Sequence, residues 1–189
     1  KVWEVSASEL AEIETLTAFP NWPKKTGVPR LYEVLELFGG QAFSWELEIK
    51  NTAKEKMELI SSLLIRMVAE FGLQERVVIT SFVPEALFMV SRLNPNLRRG
   101  FISRYDKPED LKTAKTLGCY RACIPLRDSQ KEAVTEAHAM GFNVTGWLGD
   151  TAEMMRMLLD WDVDAITTNQ PTLALDYLRQ HKIILPGIS

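Results

Sequence analysis

Residues 141–171 read GFNVTGWLGDTAEMMRMLLDWDVDAITTNQP. The run 142–147 predicts a strand, 151–160 an amphipathic helix, and Ala165 to Thr168 a second, β-branched strand, with Pro171 opening another helix. Asp150 and Glu153 have capping-box spacing ahead of the first helix. A strand, a helix of about ten residues and a second strand form the unit from which parallel sheets are built, because a parallel connection needs a crossover rather than a tight turn.

The same alternation continues upstream. A helix over 129–140, capped by Asp128 and ended by Gly141, follows a short strand at 120–124; a helix at 108–117 follows a weak strand at Phe101-Ile102. Pro84 opens a helix that Asn94-Pro95 breaks, a favourable place for proline because the first helical turn needs no donor. Before it, Val77-Val78-Ile79-Thr80 is typical of a strand buried on both faces. A long helix over 53–71 carries Met57, Ile60, Leu64, Met67 and Phe71 as its apolar stripe and ends at Gly72. The segment 43–50 alternates and predicts a strand, and 31–38 predicts a helix closed by Gly39-Gly40. Ser6 and Glu9 form a capping box for a helix over 6–16, followed by a loop containing Pro20, Pro23 and Pro29. No repeat, low-complexity tract or linker divides the 189 residues. They read as one α/β layer system, residues 1–189 forming a single domain.

Composition narrows the function. Hydrophobic residues make up 46% and charged residues 25%, with 25 acidic against 22 basic side chains and a net charge of -3. A nucleic-acid surface needs a basic excess that is not there. No apolar run approaches the roughly 18 residues of a membrane span. No basic-then-apolar leader follows Lys1, and two cysteines are too few for a disulfide framework. Low cysteine use points toward the cytoplasm. Cys119 and Cys123 lie about 13 Å apart at strand rise, beyond disulfide reach, and read as packing residues.

Active sites of parallel α/β folds collect at the C-terminal ends of the strands. The first strand ends Glu46-Leu47-Glu48-Ile49-Lys50, which puts Glu46, Glu48 and Lys50 on one face. Such a face holds either a structural ion pair on a solvated edge, or a hard cation on the carboxylate with phosphate on the lysine. Ser81-Phe82 ends the second strand, and Phe82 either walls a pocket or joins the core. Trp147 ends the strand 142–147, where its ring either lies against a ligand or packs. The polar loop 167–171 either faces a phosphate or caps the helix after it.

Three blocks together resemble one family. VPRLYEVLELFGGQAFSWELEIK, RVVITSFVPEAL and GFNVTGWLGDTAEMMRMLLDWDVDAITTNQP are similar, in order and spacing, to conserved blocks of the glycerophosphodiester phosphodiesterases, over most of residues 26–178. Ala165 stands where glycine is usual, and Gly146-Trp147-Leu148-Gly149-Asp150 replaces the usual tryptophan-threonine-x-asparagine.

The resemblance implies a TIM barrel that hydrolyses a small-molecule glycerophosphodiester to glycerol 3-phosphate and an alcohol with a divalent cation, magnesium or calcium. By position, Glu48 matches a metal-binding glutamate, Lys50 the active-site lysine, and Phe82 and Trp147 the pocket walls. The family's histidine-arginine-glycine motif, its glutamate-x-aspartate pair and its histidine-aspartate pair have no counterpart here. His138 and His181 are the only histidines, both expected at the surface. Lys1 to Val5 with Ser8-Glu9-Leu10 matches the family just after its second catalytic histidine.

A complete barrel needs about 250 residues. The resemblance therefore implies the C-terminal two-thirds of a phosphodiesterase barrel, a partial (β/α)8 fold missing about its first three strands, with weak or absent cation binding. The strands 43–50 and 164–168 are then expected to have open edges, suited to self-association or to pairing with a missing N-terminal segment. Of six strand candidates, 100–103 or 120–124 is expected to be short or outside the barrel. An inactive barrel fragment acting as a binding or assembly module is the alternative function, and another phospholipase C-like phosphodiesterase a third.

Overall fold

The computed structural model describes residues 4–13, 27–51 and 53–183. The chain divides into two units, Lys1–Ala42 and Phe43–Ser189.

In the first unit, α1 (Ala7–Ala11) begins with the expected capping box. The Ser6 hydroxyl accepts from the Glu9 amide, and the Glu9 carboxylate accepts from the Ser6 amide. The helix ends earlier than the expected residue 16, with Glu12 as its C-cap; residues 14–16, and Pro20 and Pro23 of the loop after them, fall outside the described residues. Helix α2 (Leu31–Phe38) matches its expected range, buries Leu35 and ends at Gly39.

The second unit is six βα repeats. They comprise β1 (Trp45–Glu48), α3 (Lys54–Glu70), β2 (Val77–Ser81), α4 (Pro84–Leu93), β3 (Arg98–Ile102), α5 (Pro108–Thr116), β4 (Arg121–Pro125), α6 (Lys131–Ala139), β5 (Asn143–Trp147), α7 (Ala152–Asp160), β6 (Ala165–Thr167) and α8 (Pro171–Gln180). Every neighbouring pair is parallel, in the order β1-β2-β3-β4-β5-β6. The sheet is therefore open among the described residues, with β1 and β6 at its edges, as the resemblance implies.

Both doubtful strands lie in the middle of the sheet, so the expectation that one would be short or outside is overturned. Arg98 to Gly100 supplied little apolar signal, yet β3 is buried from Arg99 onward because it is flanked on both sides. Six strands leave an eight-stranded barrel two short, against the about three that the match of residues 1–10 implied.

The sheet curls. Flat neighbouring strands lie about 4.8 Å apart, so β1 and β4 would be separated by about 14 Å. Instead the short Cys123 side chain on β4 places Sγ 3.5 Å from Glu46 Oε1 on β1. This curvature, with helices following each strand, is that of a partial TIM barrel.

Alternation along the strands separates two environments. Outward residues Phe101, Ile124 and Val144 pack with Leu87, Leu111 and Val134 from the helices to form the apolar core. Inward residues are largely polar. Gly100 faces inward, and a Cβ there would meet Thr80 Cγ2 at 2.9 Å and Arg121 Cβ at 3.4 Å, so glycine keeps the inner face clear. Gly146 faces outward, where a Cβ would approach Leu158 Cδ2 to 2.5 Å; its place before Trp147 lets α7 pack closely on β5.

Local details differ from expectation in three places. The buried stripe of α3 is Met57, Ser61, Leu64 and Val68, while Ile60 and Met67 flank it. Helix α6 starts after Gln130 with no side-chain cap, so Asp128 does not cap it. Helix α7 is capped by Thr151, whose hydroxyl accepts from the Met154 amide at 3.1 Å; Asp150 instead fastens a neighbouring loop.

Candidate active site

The C-terminal ends of the strands surround a cavity of about 320 Å³ lined by residues of all six strands and of the segments that follow β1, β2 and β5. It brings together all four residues singled out in the sequence: Glu48 and Lys50 from β1 and its end, Phe82 just after β2, and Trp147 at the end of β5.

Glu48 and Lys50 meet directly, Nζ donating to Oε2 at 2.6 Å, with side-chain exposures of 25% and 78%. An ion pair this exposed contributes at most about 1 kcal/mol. Of the two alternatives left open by spacing, the ion pair is present, and both residues line the cavity. Glu48 Oε1 is buried without a hydrogen-bond partner. Ser81 holds this corner, its hydroxyl donating to Ile49 O at 2.6 Å and accepting from the Val83 amide at 3.0 Å, so the turn carrying Phe82 is tied to the end of β1.

Phe82 and Trp147 stand edge to face, with centroids 6.1 Å apart and an interplanar angle of 84°. Phe82 is 51% exposed and therefore lines the rim rather than the core. Trp147 Nε1 is buried and has no hydrogen-bond partner among the described residues.

Beside the Glu46 carboxylate, which lines the cavity, and along the inner face of β4 and β5 lie residues that sequence reading did not assign to a site. Arg121 Nη1 lies 3.6 Å from Glu46 Oε1, and Arg121 Nε donates to Asn143 Oδ1 at 2.8 Å. Cys123 is not only a packing residue, since its thiol faces Glu46 and lines the cavity. Burial, with the Glu46 carboxylate adding to it, pushes that thiol well above the usual range, so it stays protonated. Both cysteines are free thiols. Thr145, 2% exposed, also lines the cavity and leaves its hydroxyl unpartnered. The period-two alternation of β4 and β5 was the available signal for these residues, but it becomes informative only once the inner face is known to be polar.

Thr167, the last residue of β6, joins the lining, and after it comes the β6–α8 loop. Asp150 fastens it: Oδ1 accepts from the Asn169 amide at 2.7 Å and Thr168 Oγ1 at 3.1 Å, and Oδ2 from Asn169 Nδ2 at 2.9 Å. The backbone hydrogen bond from Asn169, followed by that residue's side chain, holds the Asp150 carboxyl below its ordinary range.

Neither histidine lines the cavity. His138 Nε2 lies 3.0 Å from Asp164 Oδ2, and the same oxygen accepts from the Val144 amide at 2.7 Å, at the opposite end of the strands. His138 is half-buried by this contact, while His181 caps α8 at the surface and stacks on Tyr177 with centroids 4.1 Å apart.

A hard divalent cation takes about six oxygen ligands. The free Glu48 Oε1 is a suitable donor, but the described residues contain no group of three or more His, Cys, Asp or Glu that could hold a metal ion. Among the described residues the site thus offers one carboxylate of the set a hard cation needs and does not by itself complete a metal centre.

A parallel βα sheet curled as part of a TIM barrel thus gathers a carboxylate, a lysine and two aromatic rings around one cavity at its strand ends. The family model for the glycerophosphoryl diester phosphodiesterase family matches residues 1–173. The chain belongs to that family. A glycerophosphodiester phosphodiesterase of Caldanaerobacter subterraneus subsp. tengcongensis is 28% identical over 174 residues, covering 90% of this chain and 71% of the relative. A Silicibacter pomeroyi structure assigned to the glycerophosphoryl diester phosphodiesterases superposes with a TM-score of 0.77 at 25% identity, over 88% of this chain and 62% of that one. An Oleispira antarctica phosphodiesterase, solved in complex with its product sn-glycerol-3-phosphate, shares the fold with a TM-score of 0.82 at 17% identity, over 94% of this chain and 72% of that one. Among the described residues no helix is long and apolar enough to cross a membrane.

Proposed function

We propose that the chain carries the substrate-facing, C-terminal two-thirds of an enzyme that hydrolyses glycerophosphodiesters to glycerol 3-phosphate and an alcohol. The observation that carries this reading is the meeting of Glu48, Lys50, Phe82 and Trp147 around one cavity in a chain of this family. Lys50 offsets the charge that builds on the phosphoryl oxygens in the transition state. Glu48 supplies a carboxylate to a divalent cation, magnesium or calcium, which when bound acts as a Lewis acid on those oxygens. Phe82 and Trp147 shape the walls, and the Trp147 indole N–H offers a donor to an oxygen of the ligand.

One observation favours a second reading for the chain as given. Both histidines lie away from the cavity, His138 against Asp164 and His181 on Tyr177, so the site has no imidazole to act as acid or base. Acting alone, the chain then binds ligand or assembles with other chains without turning substrate over. The open edges of β1 and β6 are the surfaces for such assembly, either with the strands that complete a barrel or with a second copy.

Assays for metal-dependent release of glycerol 3-phosphate test both readings. The chain alone is expected to give no release above background. In any form that contains the acid/base residues, Glu48→Ala or Lys50→Ala is expected to abolish turnover. Full activity surviving both substitutions would overturn the site assignment, and turnover by the chain alone would overturn the second reading.

A further inference from the structure

We propose that Thr145 recognises a carbon-bound hydroxyl of the ligand, acting as a specificity-determining residue deeper in the cavity than Lys50. This inference rests on the phosphodiester reading above and adds the group that reads the non-phosphate part of the ligand.

Four buried side-chain polar atoms lack a hydrogen-bond partner among the described residues, and three of them, Glu48 Oε1, Thr145 Oγ1 and Trp147 Nε1, belong to residues lining the same cavity. Buried polar groups in folded proteins are almost always paired, so a cluster of orphans around one cavity marks where a polar ligand supplies the missing partners. The fourth, Ser61 Oγ, lies on α3 and does not line it.

Position decides what Thr145 meets. It pairs in register with Cys123 on β4, two residues before Trp147. Cys123 in turn faces the Glu46 carboxylate. A phosphate dianion at this depth would lie near that carboxylate, while Arg121 is already engaged by Glu46 and Asn143. A neutral hydroxyl meets no such repulsion, and the threonine hydroxyl can both donate to it and accept from it. The phosphate belongs instead near Lys50, whose ammonium is 78% exposed at the rim.

Calorimetric titration of the chain with sn-glycerol 3-phosphate and with propyl phosphate tests this, because the two share a phosphate and three carbons and differ in hydroxyls. The unmodified chain is expected to prefer sn-glycerol 3-phosphate by about five- to ten-fold, the value of one hydrogen bond. Thr145→Val should lose that preference while binding propyl phosphate as before, and Thr145→Ser should keep it. The melting temperature of Thr145→Val should stay unchanged or rise, because an unpaired hydroxyl has been removed; a hydroxyl with a purely structural role would lower it. Should the valine variant be too unstable to titrate, Thr145→Ala is expected to show the same loss of preference. A preference that survives Thr145→Val or Thr145→Ala overturns the assignment of Thr145 and leaves the phosphodiester reading intact. Phosphate binding that is absent, or that Lys50→Ala leaves unchanged for both ligands, overturns the underlying reading and this one with it.

Discussion

Lys50 and Arg99 show how differently two cations can serve one sheet. Lys50 is exposed at a strand end, paired with Glu48 and open to solvent on its other sides. Arg99, on β3, is 7% exposed and has no carboxylate within its set of partners. Its guanidinium donates to four carbonyls: Leu97 at 2.7 Å, Gly118 at 3.0 Å, Pro95 at 3.1 Å and Leu117 at 3.4 Å. Burial lowers its pKa, yet the five fixed donors of the guanidinium let one side chain satisfy two loops at once. Arg99→Ala would leave those carbonyls without partners and is expected to cost about 2–4 kcal/mol in urea unfolding. A loss within 0.5 kcal/mol, the range typical of neutral surface changes, would show that water replaces the guanidinium without penalty. Glu48, Lys50, Phe82 and Trp147 were legible in sequence because each sits at or just after a strand end, where local pattern locates it. Arg99, Arg121, Cys123 and Thr145 were not. Their partners lie many residues away, and nothing local distinguishes a cysteine that packs from one that faces a carboxylate.

Elements were legible where one local signal dominated, and blurred where two competed. The four buried residues of α3 follow helical spacing, but Ser61 takes the place in the stripe that was expected for Ile60. The start of α7 was expected to be capped by Asp150, but Thr151 takes the role because Asp150 is engaged with residues 168–169. That engagement gives the β6–α8 loop a pH dependence. Asp150 ionises more readily in the folded chain than at its ordinary value of 3.8, so its contribution is full above that value and is lost as pH falls below it. Asp150→Asn is expected to flatten this part of the acid limb, seen as a smaller fall in melting temperature between about pH 4.5 and 2.5. An unchanged acid limb in the variant would show that the loop is held by other contacts.

The whole sheet is a gradient of protection rather than a uniform core. Strand β2 is buried along its entire length, and β3 and β4 are buried after their first residues, because each is flanked by two strands and backed by helices. At one margin β1 pairs only with β2; the amides of Trp45 and Ile49 bond to Arg76 and Thr80, so alternation turns those of Glu46 and Glu48 toward the open edge. At the other margin β6 has three residues, none buried, and α8 buries none of its own. Backbone hydrogen bonds that open without exposing much apolar surface exchange fastest. Amide exchange in dilute solution is therefore expected to be slowest in β2, β3 and β4, and faster in β1, β6 and α8. Raising the protein concentration should selectively slow β1 and β6 if their edges pair with a second copy. Uniform protection across all six strands in dilute solution would contradict the open sheet. Concentration-independent exchange at both margins would instead leave the edges for strands that complete a barrel, since self-pairing would then contribute nothing to covering them.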